Sequence, residues 1–131
     1  MKKTLSILIL SVFILSGCEK EENLSKIVSG SYQGREIVLF GQAIPLPSQQ
    51  LDIQFDCFIQ EMSENGVNVT LESTFDGERE TETFNAFAKR DGSRILIQDN
   101  FTGYNLEYDN GTLTIEETYE GQFVKITFRK L

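Results

Sequence analysis

Val67-Asn68-Val69-Thr70-Leu71-Glu72-Ser73-Thr74-Phe75-Asp76-Gly77 is the stretch on which the fold turns. Val67, Val69, Leu71 and Phe75 fall on one phase of a two-residue period, and Asn68, Thr70, Glu72 and Thr74 fall on the other. An alternation of this kind is the signature of a strand with one face packed and one face wet. Asp76-Gly77 then supplies the positive φ that a two-residue hairpin turn demands, so the strand is expected to fold straight back on its successor.

The same unit recurs on both sides of this stretch. Asn65-Gly66, Asp91-Gly92 and Asn110-Gly111 are turn signals of the same strength, and Thr102-Gly103 and Glu120-Gly121 are weaker ones. Between them lie short segments rich in Val, Ile, Phe, Tyr and Thr at 31–40, 49–60, 67–75, 78–90, 93–98, 104–108, 112–119 and 122–130. Residues 41–48 carry Gly41, Pro45 and Pro47 and read as a longer loop, because proline cannot donate to a ladder. About eight sequential antiparallel strands with one apolar face can close on themselves and so remove the edges that invite aggregation. The expected class is therefore all-β, an up-and-down eight-stranded barrel, with a β-sandwich as the alternative that fits the same alternation.

The first residues follow a different logic. Lys2 and Lys3 precede an apolar run from Leu5 to Leu15, which ends in Leu15-Ser16-Gly17-Cys18. Those are the three zones of a secretory signal, and the run is too short for a bilayer span of roughly 20 residues. Leu15-Ser16-Gly17-Cys18 resembles the bacterial lipobox. That resemblance implies cleavage after Gly17 and lipidation of Cys18, which would tether the protein to a membrane without embedding it. Lys20-Glu21-Glu22 is similar to the lysine-plus-acids signal that sends Bacteroidota-type lipoproteins to the outer face of the outer membrane; a charged run is also what a solvated linker looks like. The expected organisation is a signal peptide at 1–17, a lipidated cysteine and flexible tether at 18–28, and a single barrel domain at 29–131.

Composition narrows the chemistry. Without Lys2 and Lys3 the chain carries 10 basic and 20 acidic residues, a net charge of −10. With no basic stripe to neutralise phosphates, nucleic-acid binding is not expected. The chain has no histidine, which removes Ser-His and Cys-His catalysis and most zinc chemistry. Twenty acids offer many carboxylate pairs, but nothing in the sequence holds two of them at the 5–9 Å or so that glycoside hydrolysis needs. Neither Asp76-Gly77 nor Asp91-Gly92 has the alternating acids of a calcium loop. The expectation is a non-catalytic protein with no cofactor and no metal. With Cys18 committed to lipid, Cys57 has no partner for a disulfide, and its place in the apolar phase of Leu51-Asp52-Ile53-Gln54-Phe55-Asp56-Cys57 marks it as a buried thiol.

Gly30-Ser31-Tyr32-Gln33-Gly34 opens the first strand much as a Gly-x-Trp motif opens lipocalins, with Tyr32 in place of tryptophan. The chain thus resembles small lipocalin-like or calycin-like lipoproteins. The resemblance implies that an arginine near the end of the barrel packs over the aromatic ring, here a cation–π pair of Tyr32 with Arg129. The plainer alternative is that Gly30 and Gly34 relieve crowding at a bend and Tyr32 is ordinary core.

Two further strands bear on function. Tyr104, Leu106 and Tyr108 share one phase, as do Phe84, Ala86 and Ala88. If both phases face inward, the alanines leave space that Phe84, Tyr104 and Tyr108 could line as a ligand pocket. The competing reading is an interior filled by side chains. Phe58 and Phe87 are out of phase and are expected outside. The acidic runs Asp76–Glu82 and Glu116, Glu117 and Glu120 suit either a basic partner or the solvated ends of hairpins. Two functions follow: an envelope-anchored binder of a small apolar or amphipathic ligand, or a protein-interaction module, such as an inhibitor or a subunit of an envelope complex.

Overall fold

In the computed structural model, residues 23–99, 101, 103–119 and 121–131 are described. Two of the glycine-marked corners turn as their chemistry requires, with φ of 49° and 80° at Asp76 and Gly77 and of 48° and 85° at Asn110 and Gly111, whereas at Asn65-Gly66 neither residue has positive φ and Gly66 instead opens a strand. Each corner joins strands that pair antiparallel with their neighbours in sequence. In chain order the strands are β1 (Gly30–Leu39), β2 (Gln42–Pro45), β3 (Ile53–Glu61), β4 (Gly66–Phe75), β5 (Glu78–Asp91), β6 (Arg94–Gln98), β7 (Asn105–Asp109), β8 (Thr112–Tyr119) and β9 (Gln122–Lys130).

The sheet runs β3 to β9 in sequence order and then returns to β1, which pairs with β9 from Tyr32↔Lys130 to Leu39↔Val124. That last pairing closes one continuous sheet, so the molecule is an up-and-down barrel of eight strands and not a sandwich. Tyr32, Cys57, Val69, Ile97, Leu113 and Phe128, each from a different strand, are at most 1% exposed and meet in the interior. The outer face carries a polar row instead. Asn68 is bonded to Asn85 at 3.0 Å, Thr70 faces Thr83, and Arg79 pairs with Glu72 at 2.8 Å. A polar exterior around an apolar interior is the reverse of a transmembrane barrel.

Two elements differ from the sequence expectation. Residues 41–48 are not simply a loop: Gln42–Pro45 pairs with the second half of β1, with Pro45 opposite Glu36. Proline is tolerated there because β2 is a short strand beside the ring and Pro45 is its last residue. The first half of β1 pairs with β3 and the second half with β2. β1 changes partner at Gly34, where a Cβ would lie 2.8 Å from the Phe55 carbonyl oxygen, and its register with β9 shifts between Gly34 and Glu36. Glycine is the residue that lets the two backbones come this close.

The second difference is helix α1 (Leu24–Val28), which lies within the stretch expected to be tether. A five-residue helix has little stability of its own, so packing holds it. Leu24 and Val28, four apart and hence on one face, are 7% and 0% exposed. Asn23 caps the first turn by accepting from the Lys26 amide at 3.1 Å. Ser25 is fully buried, its amide donating to the Glu64 carbonyl at 3.1 Å and its single hydroxyl proton shared between two acceptors in reach, Asn23 Oδ1 and the Ser63 carbonyl. Residues 24–28, expected to be tether, therefore belong to the packed unit. Cys18, Lys20-Glu21-Glu22 and the whole of 1–17 lie outside the described residues.

Helix α1 stops one end of the barrel. It packs against β3 and β5 beside the β3–β4 hairpin, and at the same end lie the β5–β6 and β7–β8 turns and the last residues of β9.

Candidate functional site

Lys130 and Tyr32 define the stopped end. Tyr32 is 1% exposed and donates its hydroxyl to the Val28 carbonyl, the last of α1. Its ring meets Tyr108 edge-on, with centroids 6.5 Å apart. The Lys130 Nζ sits 5.9 Å from both ring centroids and donates to the Ile27 carbonyl at 3.0 Å. A cation at a helix C-terminus is favourable there, since it meets carbonyls with no partner in the helix.

The aromatic–cation pair implied by the lipocalin resemblance therefore exists with a different cation. Phe128 and Lys130 are on the inward phase of β9, whereas Arg129 is on the outward phase and donates to Thr112 Oγ1 at 2.7 Å. The pairing Tyr32–Arg129 is corrected to Tyr32–Lys130. Tyr108, expected to line a ligand pocket, likewise stands in this stopper, against Tyr32 and Lys130.

The opposite end is open. β6 and β7 have only five residues each, so β5 pairs with β6 from Phe87 to Asp91 alone, and β8 pairs with β7 from Thr112 to Ile115 alone. Among the described residues, the first half of β5 and the second half of β8 thus have no strand between them. A cavity of about 580 Å³ opens at this gap. Phe55, Leu71, Ile115, Ile126 and Phe128 give it apolar walls, and Ser73, Glu80, Glu82, Tyr104 and Glu117 stand around its polar side. The size lies within the range of about 300–1,000 Å³ usual for small-molecule sites. Ala86 and Ala88, expected to leave this space, do not line it: they face inward on β5 towards the stopped end, where Ala86 lies opposite Val67 and the Ala88 amide donates to the Asn65 carbonyl, and both are buried in the core.

Tyr104 is the best-placed side chain of the site. Asp99 shapes the preceding loop: its side chain accepts from the Phe101 amide at 3.0 Å, its carbonyl accepts from Gly103, and its amide donates to the Tyr104 carbonyl. The Tyr104 ring stacks on Phe84 with centroids 5.1 Å apart, and its hydroxyl donates to Glu82 Oε2 at 2.6 Å. The Tyr104 phenol is held well above its ordinary range, first by burial and then by the bond to Glu82. The Glu117 carboxyl is also pushed up, first by loss of water and then by the charge of Glu82. Phe55 is braced by Phe75, ring to ring edge-on at 5.6 Å.

Of the three residues expected to line a pocket, Tyr104 does so, Phe84 supports it from behind, and Tyr108 lies at the other end of the barrel. Glu80, Glu82 and Glu117, from the acidic runs that suited a basic partner or solvated hairpin ends, line the chamber, Glu80 and Glu82 while still exposed to solvent. The sequence held a signal for them. Glu80 and Glu82 share the phase of Phe84 and Ala86, and Glu117 shares that of Leu113 and Ile115. Phe58 and Phe87 are outside, at 40% and 69% exposure. Cys57 is fully buried, and burial pushes its thiol up to about 12, with the Asp56 charge a lesser cause. Among the described residues no cluster of three or more His, Cys, Asp or Glu side chains is placed to hold a metal ion.

No family model and no curated protein matches the chain. Among solved structures, a mutant of the fluorescent protein UnaG superimposes with a TM-score of 0.49 at 10% sequence identity, over 81% of this chain and 97% of that one.

Proposed function

We propose that this protein is a non-catalytic, membrane-anchored lipoprotein of the bacterial envelope that binds a small amphipathic ligand in the open end of its barrel. The observation that carries the reading is the chamber of about 580 Å³, apolar within and polar at its mouth, in a barrel whose other end is stopped by α1 and the Tyr32–Tyr108–Lys130 cluster. A site with one entrance and one polar side orients a ligand that has an apolar body and a polar head. The anchor at Cys18 and an outer-membrane location, with exposure at the cell surface, are inferred from the lipobox-like and lysine-plus-acids motifs.

Native mass spectrometry of the protein purified from its own host tests the reading. A co-purifying small molecule of one-to-one stoichiometry is expected, and a protein that is bare in its host and takes up no amphiphile when offered one would overturn it. A second reading, an interaction module, is favoured by one observation: Phe40, Leu51, Phe75, Phe101 and Phe123 are all at least 43% exposed and all lie at the open end. A protein partner recovered in place of a ligand would support that reading.

A further inference from the structure

The charge of the chamber is one-sided. Glu80, Glu82 and Glu117 line it, and among the described residues lining it there is no lysine or arginine. On an ordinary hairpin end three carboxylates would be hydrated and unremarkable, because water serves each as well as any ligand. Here they border an apolar chamber, and two of them are constrained. Glu82 is fixed by the 2.6 Å bond from the Tyr104 hydroxyl, and Tyr104 is itself fixed by its stack on Phe84. Glu117, half-buried, carries its negative charge where it feels that of Glu82.

Two carboxylates that face the same chamber repel, and Glu117, half-buried beside the apolar walls, is only partly solvated. Either a proton or a cation relieves that arrangement. An anionic head group would meet the same repulsion and find no donor of opposite charge. The Tyr104 ring, beside both carboxylates, offers a further surface that favours a positive charge. The long-range field acts in the same direction, since the chain as a whole has a net charge of −8.

We infer that the natural occupant of the chamber is a cationic amphiphile: an apolar body seated against Phe55, Leu71, Ile115, Ile126 and Phe128, with an ammonium or guanidinium head held between Glu82 and Glu117 beside Tyr104. This rests on the reading of the chamber as the binding site and adds the sign of the ligand's charge.

Three probes with the same ten-carbon tail separate the two claims: decyltrimethylammonium, decanol and decanoate, each titrated calorimetrically into the full chain below its micelle concentration. The cation is expected to bind roughly tenfold or more tighter than the carboxylate, with the alcohol between them. In a Glu82→Gln/Glu117→Gln variant that ratio falls towards one while decanol affinity is kept, which also shows that the chamber is intact. If all three probes bind alike to the unaltered protein, or if the double variant keeps the preference for the cation, the assignment of charge is wrong and the binding chamber stands. If none binds, the chamber is not a site and both claims fail.

Discussion

Val28→Ala asks whether α1 is a structural stopper or a piece of tether. Val28 has no exposed surface and belongs to the main core cluster together with Tyr32, Cys57 and Ile59. Removing two methyl groups at about 0.8 kcal/mol each costs about 1.6 kcal/mol in transfer alone. The void left behind adds to this, because the barrel strands around it are tied into a closed sheet and relax little. A total of about 2–3 kcal/mol is expected, equivalent to a fall in Tm of roughly 8–12 °C for a domain of this size. Urea unfolding followed by far-ultraviolet circular dichroism measures it, with the m-value as the check that the denatured state is unchanged. Had residues up to 28 been an extended tether, the substitution would lie within about 0.5 kcal/mol of zero, as exposed positions do. A loss of less than about 0.5 kcal/mol would therefore refute the assignment of α1 to the core.

Three other outcomes follow from named contacts. Lys130→Met should cost about 1 kcal/mol through the lost bond to the Ile27 carbonyl and the lost contacts with Tyr32 and Tyr108, whereas Arg129→Met should cost less than half of that; thermal melts of the two variants side by side check the order. Gly34→Ala should destabilise by about 1–3 kcal/mol, since its Cβ would lie 2.8 Å from a backbone oxygen that cannot swing aside, and the measurement is again the unfolding midpoint. Cys57 should resist dithionitrobenzoate at pH 8 in the native protein and react once in denaturant. Because its thiol is raised from an ordinary 9.0 to about 12 in the fold, the unfolded chain gives up that proton first. The associated stability is present in full below about pH 9 and is lost as pH climbs towards 12; the fall between about pH 9 and pH 10, before the buried tyrosines contribute a loss of the same sign, should be missing from unfolding curves of the Cys57→Ala variant.

The barrel was legible because its two determinants are local. Phase within a strand assigns a face, and an Asn-Gly or Asp-Gly corner fixes the next strand's direction, so Val67–Phe75 and its neighbours could be placed without knowing anything distant. Closure was inferred from strand number, and the pairing of β1 with β9 bears it out. The elements that escaped are those decided by tertiary contact. Leu24 and Val28 are two apolar residues after a highly charged run, and nothing local says that β3 and β5 will cover them. Pro45 and Pro47 argued against a ladder at 41–48, yet beside β1 only the N–H of Pro45 is missing and the strand ends there.

The candidate site was half legible for a related reason. Phe84 and Tyr104 were found because aromatics on the inward phase stand out. Glu82 and Glu117 occupy that same phase, but charge suggested solvent, and only the shortness of β6 and β7 reveals that an inward carboxylate can reach water there. Tyr32 was paired with Arg129, whereas the phase of β9, in which Phe128 faces inward, would already have chosen Lys130.

If the chamber is a binding site, the open end of the barrel admits a ligand. A titration with the neutral dye N-phenyl-1-naphthylamine, run on the unaltered protein and on Ser73→Trp, reads this directly, because Ser73 lines the chamber and an indole there would occupy it. Saturable one-to-one fluorescence enhancement, lost in the variant while its melting temperature holds, is the predicted result; equal binding by both proteins, or no saturable binding to either, would contradict it.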